Sequence, residues 1–279
     1  MKFQKLFCLL FSLICVSAMA GTVDTITVQS AFLKKASKVV VVQPSLAAQK
    51  GAAYPVVYLL HGYSGNYAQW IHTAPQLAQT ADALKIIFVC PDGGFGSWYF
   101  DSPIDSSIRY ESYITKELIP FIDAHYATKA QPNYRAITGL SMGGHGAMYL
   151  AIKHGNIFGA AGSTSGGVDF TPFPENWDIK KALGNYADHK ESWTNHTVLH
   201  LVDNLQNNQL ALIIDCGIGD FFMPVNNALH EKLMKLKINH DFIVRSGEHN
   251  HDYWRPPQYC SRNCENDWSS QPQSLRNWP

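Results

Sequence analysis

Four stretches, YPVVYLLHG, KIIFVCPDGG, YRAITGL and QLALIIDCG, are largely apolar runs of strand length, each reaching a glycine. A strand with one wet face alternates apolar and polar residues. A strand buried on both faces does not, and such strands belong to parallel sheets covered on each side. Helical patterns lie among them: PQLAQTADALK, with Pro75 suited to a first turn, RYESYITKELIPFIDAHY, Met142 to Lys153, and VNNALHEKLMKLK. GAAGSTSG and HDFIVRSG add further strands. Ahead of them VDTITVQS alternates, and SKVVVVQP is a β-rich run closed by Pro44. The order predicts one α/β domain: a mostly parallel, doubly wound sheet with an N-terminal antiparallel edge hairpin and helices on both faces. PFPENWDIKKALGNYADHKESW breaks the rhythm with Pro, Trp and Asn, and is read as a cap inserted into that domain.

The chain of 279 residues is long enough for one such domain, and 22 acidic residues balance 22 basic ones. That balance gives no electrostatic reason to expect nucleic acid or an anionic membrane as partner. Lys2 and Lys5, the apolar LFCLLFSLICV and Ala18-Met19-Ala20 have the order of a signal peptide over residues 1–20, cleaved before Gly21. Its apolar run is too short for a membrane span. The expected product is exported, periplasmic or secreted, with no membrane span after cleavage. Cys8 and Cys15 leave with the signal. Cys90 and Cys216 lie in apolar runs and read as inert core thiols. Cys260 and Cys264 lie in a polar tail, where export permits a disulfide. No cysteine and histidine set has zinc-site spacing, so neither metal nor cofactor is expected.

In an open α/β sheet, reactive groups collect at the carboxyl ends of the strands. ITGLSMGGHG places Ser141 between Gly139 and Gly143, on a strand-to-helix turn that exposes a serine hydroxyl. The Met142 N–H then lies at the positive end of the helix that follows. Asp215 and Asp220, in DCGIGDFF, are alternative carboxylates for orienting a histidine. His249 and His251, in GEHNHDYW, are alternative bases. HGYSGN, after the first buried strand, makes the Tyr63 N–H a candidate second donor to an oxyanion. Trp98, Tyr99 and Trp177 are candidate pocket walls, for which ordinary packing is an equal reading.

Taken together, YPVVYLLHGYSGN, VCPDGG, RYESYITKELIPFID, ITGLSMGGHGA, DCGIGDFF and GEHNHDYW resemble the esterase D family of α/β-hydrolases. That group includes S-formylglutathione hydrolases, tributyrin-type esterases, feruloyl and acetylxylan esterases and antigen 85 mycolyltransferases. The likeness runs from about Thr25 to Trp254, within a domain expected over residues 21–254. It implies an α/β-hydrolase fold, Ser141 as nucleophile, Asp220 rather than Asp215 as the orienting carboxylate, and His249 rather than His251 as base. It also implies an oxyanion hole from the backbone N–H groups of Tyr63 and Met142. His251 stands where the family carries Trp, on the expected pocket rim. The implied partner is a small-molecule or polysaccharide-linked ester, acetyl or feruloyl among them, with no cofactor. Acyl transfer to a sugar hydroxyl, or non-catalytic binding on a hydrolase scaffold, are the alternatives. The family closes with an amphipathic helix. Residues 255–279 instead hold Pro256-Pro257 and a single aliphatic residue, Leu275, so either a natural polar tail or a shifted reading frame follows Trp254 and apolar sheet surface is expected to lie uncovered.

Overall fold

The apolar runs become adjacent strands. The computed structural model describes residues 21–45, 47 and 51–255; the expected signal segment and the Cys260–Cys264 tail lie outside the described residues. Eight strands, β1 (Thr22–Ser30), β2 (Lys35–Gln43), β3 (Val56–Leu60), β4 (Ile87–Pro91), β5 (Arg135–Leu140), β6 (Ala160–Thr164), β7 (Ala211–Gly217) and β8 (Asp241–Arg245), form one sheet. Their order is β1-β2-β4-β3-β5-β6-β7-β8. β1 and β2 are the expected antiparallel hairpin, β2 meets β4 antiparallel, and all remaining pairs are parallel. Every residue of β3 and β4 is buried, which is why neither sequence alternates.

The strand order sets the position of the crevice. From β3 the chain crosses to β4 on one side, then returns to β5 on the other. The carboxyl ends of β3 and β5 therefore flank the point where the winding direction reverses, the usual ligand crevice of such sheets. Leu60 is in register with Gly139, so the turns leaving these two strands start side by side.

One sheet face carries Val40, Val42, Val57, Leu59 and Phe88, packed with Leu77 and Ala81 of α2 (Leu77–Leu84). A short α1 (Gln69–Thr73) precedes it. The opposite face packs against α5 (Met142–Lys153), which is buried from Met142 through Ala151. The expected long helix over RYESYITKELIPFIDAHY forms in three parts: α3 (Tyr110–Ser112), a wide-turn π-helical stretch over Tyr113–Leu118, and α4 (Ile119–His125). Pro120 gives the physical reason. It offers no N–H, and its ring would collide with the carbonyl four residues back in a regular α-helix. Glu117, on the widened stretch, accepts the Ala31 amide at 2.9 Å and the Ser30 hydroxyl, pinning the turn of the edge hairpin.

Between β6 and β7 the expected cap appears as short helices, α6 (Ile179–Leu183), α7 (Lys190–Asn195) and α8 (Val198–Leu201). α9 (Met223–Lys235) connects β7 to β8, and α10 (His251–Trp254) follows β8. Cys90 and Cys216 are free and buried, and burial pushes the Cys216 thiol up to about 12. On β8, Ile243 and Val244 stay 40% and 43% exposed, so apolar surface does lie open at this sheet edge among the described residues.

Candidate active site

Ser141 ends β5 and begins α5 with φ 56° and ψ −119°, a left-handed conformation strained for any residue with a side chain. The flanking glycines make it possible. A Cβ on Gly139 would stand 2.4 Å from the Gly143 carbonyl carbon, and one on Gly143 would stand 2.3 Å from the Leu60 oxygen. The turn is held on both sides: the Ser141 N–H donates to the Thr164 carbonyl at 3.0 Å, and its carbonyl accepts from His145 N–H at 3.1 Å.

The Ser141 hydroxyl lies 2.9 Å from His249 Nε2, and His249 Nδ1 lies 2.9 and 3.0 Å from the two oxygens of Asp220. Among these partners the Asp220 carboxylate only accepts, which assigns the imidazole proton to Nδ1 and leaves Nε2 free to accept from the serine. Asp220 is 3% exposed and also accepts the Phe222 amide at 2.8 Å. The base is walled by rings: Phe221 at 4.3 Å, Phe222 at 5.3 Å and Trp254, edge-on, at 4.9 Å between centroids. The structure thus brings together Ser141, Asp220 and His249. Asp215 instead binds Arg245 and Tyr253. His251 is exposed, packs edge-on against Trp254 and borders a surface hollow with His72 and Arg255.

The Tyr63 turn is set by His61, Gln69 and Gly93, to which sequence reasoning gave no role, and by Tyr99, which it read only as a candidate pocket wall. Gly93 N–H donates to His61 Nε2 at 2.7 Å, so the proton of this imidazole sits on Nδ1, 2.8 Å from the Gly62 carbonyl. In a trans peptide the carbonyl of one residue and the N–H of the next point opposite ways. Fixing the Gly62 oxygen therefore fixes the direction of the Tyr63 N–H. Gln69 accepts the Gly62 amide at 3.0 Å, and the Tyr99 hydroxyl donates to the His61 carbonyl at 3.1 Å. Burial lowers the His61 pKa, so the neutral form that this pattern needs is the stable one. Met142, the first residue of α5, has an amide with no acceptor inside its own helix.

Of the candidate pocket residues, Trp98 packs over Gly167 and within 5.9 Å of Trp177, whose ring stacks on Phe221. These rings form a wall continuous with those around His249. Tyr99 is fully buried beneath the Tyr63 turn and supports it from below. The Tyr63 hydroxyl donates to Asp178 of the cap at 3.1 Å. Ser64, Trp98, Tyr99, Ser141, Trp177 and Asp178, all at positive φ, belong to these same loops. Such strain persists only where surrounding packing over-determines the backbone.

The fold and the serine, imidazole and carboxylate array define an α/β-hydrolase. The chain belongs to the Esterase family ("Putative esterase"), whose model matches residues 30–257. An esterase of Mycobacterium tuberculosis (strain ATCC 25618 / H37Rv) is 38% identical over 121 residues, 42% of this chain, and the match spans only 26% of that protein. The acetyl esterase of Caldicellulosiruptor saccharolyticus is 24% identical over 71% of this chain and 78% of its own. A solved ferulic acid esterase superposes with a TM-score of 0.71 at 27% identity, covering 85% of this chain and 94% of its own. The S-formylglutathione hydrolase of Agrobacterium tumefaciens shares the fold, with a TM-score of 0.74 at 24% identity over 86% of this chain and 92% of its own.

Proposed function

We propose that this chain is an exported serine carboxylesterase that cleaves short-chain acyl or carbohydrate-linked acetyl and feruloyl esters through an acyl-enzyme. The observation that carries the reading is the unbroken hydrogen-bond line from Ser141 through His249 to Asp220. His249 takes the serine proton as Oγ attacks the ester carbonyl, then returns it to the leaving alkoxide. In the second half-reaction the same nitrogen activates water against the acyl group. Asp220 keeps the ring in the tautomer with Nε2 free and stabilises the imidazolium without itself taking the proton. The Tyr63 and Met142 N–H groups receive the negative charge of the tetrahedral intermediate, each donor contributing about 3 kcal/mol in comparable sites. The acetyl and ferulic acid esterases among its relatives support this substrate class. Export, read from residues 1–20, favours an ester outside the cytosol over a glutathione thioester.

A panel of p-nitrophenyl acetate, butyrate and longer esters with methyl ferulate, run beside Ser141→Ala, tests the reading. Turnover by the wild type and none by the variant is expected; equal turnover by both sinks it. Acyl transfer to an added sugar in preference to water would indicate a transferase using the same three residues. A folded wild type inert across the panel would point to a binding protein. EDTA-sensitive turnover would count against a simple serine mechanism.

A further inference from the structure

The segment that carries His249 is held to the body of the protein at few places. Ser246, Glu248, Asn250, His251, Asp252 and Arg255 are exposed, and Tyr253 is the one buried residue from 246 to 255. The Tyr253 hydroxyl donates to Asp215 Oδ1 at the end of β7. The other Asp215 oxygen accepts from Arg245 Nη2 at 2.5 Å, and the Arg245 guanidinium lies 4.1 Å over the Tyr253 ring. Gly247 bends beneath that ring at φ +139°, where a Cβ would stand 2.5 Å from Tyr253 Cδ2. Between the two loops, Ile218 N–H donates to the Arg245 carbonyl and Gly219 N–H to the Gly247 carbonyl, both at 2.9 Å. The Asn250 side chain accepts the Tyr253 amide at 3.1 Å, closing the short turn of α10.

We propose that Asp215, Tyr253 and Arg245 form a positioning cluster that holds the His249 loop in register with Ser141. The proposal rests on the serine esterase reading. Two carboxylates at one strand end then divide the work: Asp220 orients the imidazole, and Asp215 orients the loop that carries it. Tyr253 is the anchor because its ring packs against Gly247 while its hydroxyl ends on the half-buried Asp215 carboxylate. Arg245 pairs with the other Asp215 oxygen in this half-buried site, a charge-assisted contact that fixes the carboxylate's orientation. Imidazole and serine oxygen are 2.9 Å apart, and a displacement of about 1 Å at such a contact costs on the order of 100-fold in rate.

The test uses Tyr253→Phe, Asp215→Asn and the double variant, with the wild type and Ser141→Ala as references. An alkyl fluorophosphonate is the probe, and its attachment is followed by mass spectrometry of the intact chain. In Tyr253→Phe the maximal labelling rate should fall roughly 10- to 100-fold. The probe concentration giving half that rate should stay within about twofold, because the probe's own contacts are untouched. Amide hydrogen exchange should quicken over residues 246–252 and stay unchanged over β5. Asp215→Asn keeps an oxygen for the hydroxyl and should lose less. The double variant should be no slower than the slower single one, as for two groups in one hydrogen bond. Wild-type labelling by folded Tyr253→Phe overturns the proposal, as does exchange that quickens equally across the sheet. If Tyr253→Phe does not fold, Asp215→Asn decides, and wild-type labelling and exchange there overturn it. Labelling that survives Ser141→Ala would refute the serine reading instead; loop exchange in the Tyr253 and Asp215 variants then judges the cluster by itself.

Discussion

At the scale of single residues, the site depends on which atoms hold protons. Asp220→Asn keeps the size of the side chain but removes the charge that selects the Nδ1–H tautomer of His249. The expected outcome is a fall in kcat of about 10⁴-fold with little change in KM, read on a p-nitrophenyl ester. His61→Phe keeps a ring beside the Gly62–Tyr63 turn, the proposed oxyanion donor, but loses both hydrogen bonds of the imidazole that aims that peptide. It should lower kcat by roughly 10- to 100-fold, short of the 10²- to 10³-fold that loss of a whole donor costs. Ser141 was legible in the sequence because strand, glycine turn and helix surround it in one short stretch. Asp220 and His249 needed the family resemblance, since Asp215 and His251 have the same chemistry a few residues away. The role of His61 was not legible: its partner at Gly93 arrives from another strand, and no local pattern announces that pairing.

The elements explain why the serine is presented at all. α5 approaches β3 so closely that Gly143 has room only for a hydrogen, with the Leu60 and His61 oxygens where a Cβ would lie. Gly143→Ala must push the helix away from the strand, an overpacking that costs about 1–3 kcal/mol. Urea denaturation should show that loss, and esterase activity should fall with it. The strands, the edge hairpin and the cap were readable from apolar runs and turn residues; the order of the strands across the sheet was not. The widened turn before Pro120 was not, because apolar spacing in YESYITKELIPFI fits an ordinary helix and periodicity ignores the missing N–H. Nor did it reveal that Tyr253, one aromatic among several near the end of the domain, is the anchor of the base loop.

For the whole molecule, buried imidazoles set the response to acid. His145 is fully buried between the carbonyls of Trp98 and His196, at 3.1 and 2.8 Å from its ring nitrogens, and the neutral ring has one N–H to donate to one of the two. Burial lowers its pKa to about 4, and burial likewise lowers those of His61 and His196. The unfolded chain therefore takes up protons that the folded one refuses. Stability should fall as pH drops below about 6.5, and the His145 share should level off near 4. Glu111 acts in the same direction further down. Burial alone would raise its pKa, yet hydrogen bonds from His154 and Lys153 hold it near 2, so its contribution is lost as pH falls from 4.5 towards that value. Urea midpoints between pH 7 and 4 should decline, with a shallower slope in His145→Gln; equal slopes in the two proteins would contradict the assignment.

Rapid acid quenching during turnover of p-nitrophenyl acetate, followed by peptide mass mapping, tests the central claim most directly. The account predicts one acetyl group on the peptide containing Ser141, formed before steady state and absent in Ser141→Ala. An acetyl group on another residue, or turnover undiminished in Ser141→Ala, would contradict it.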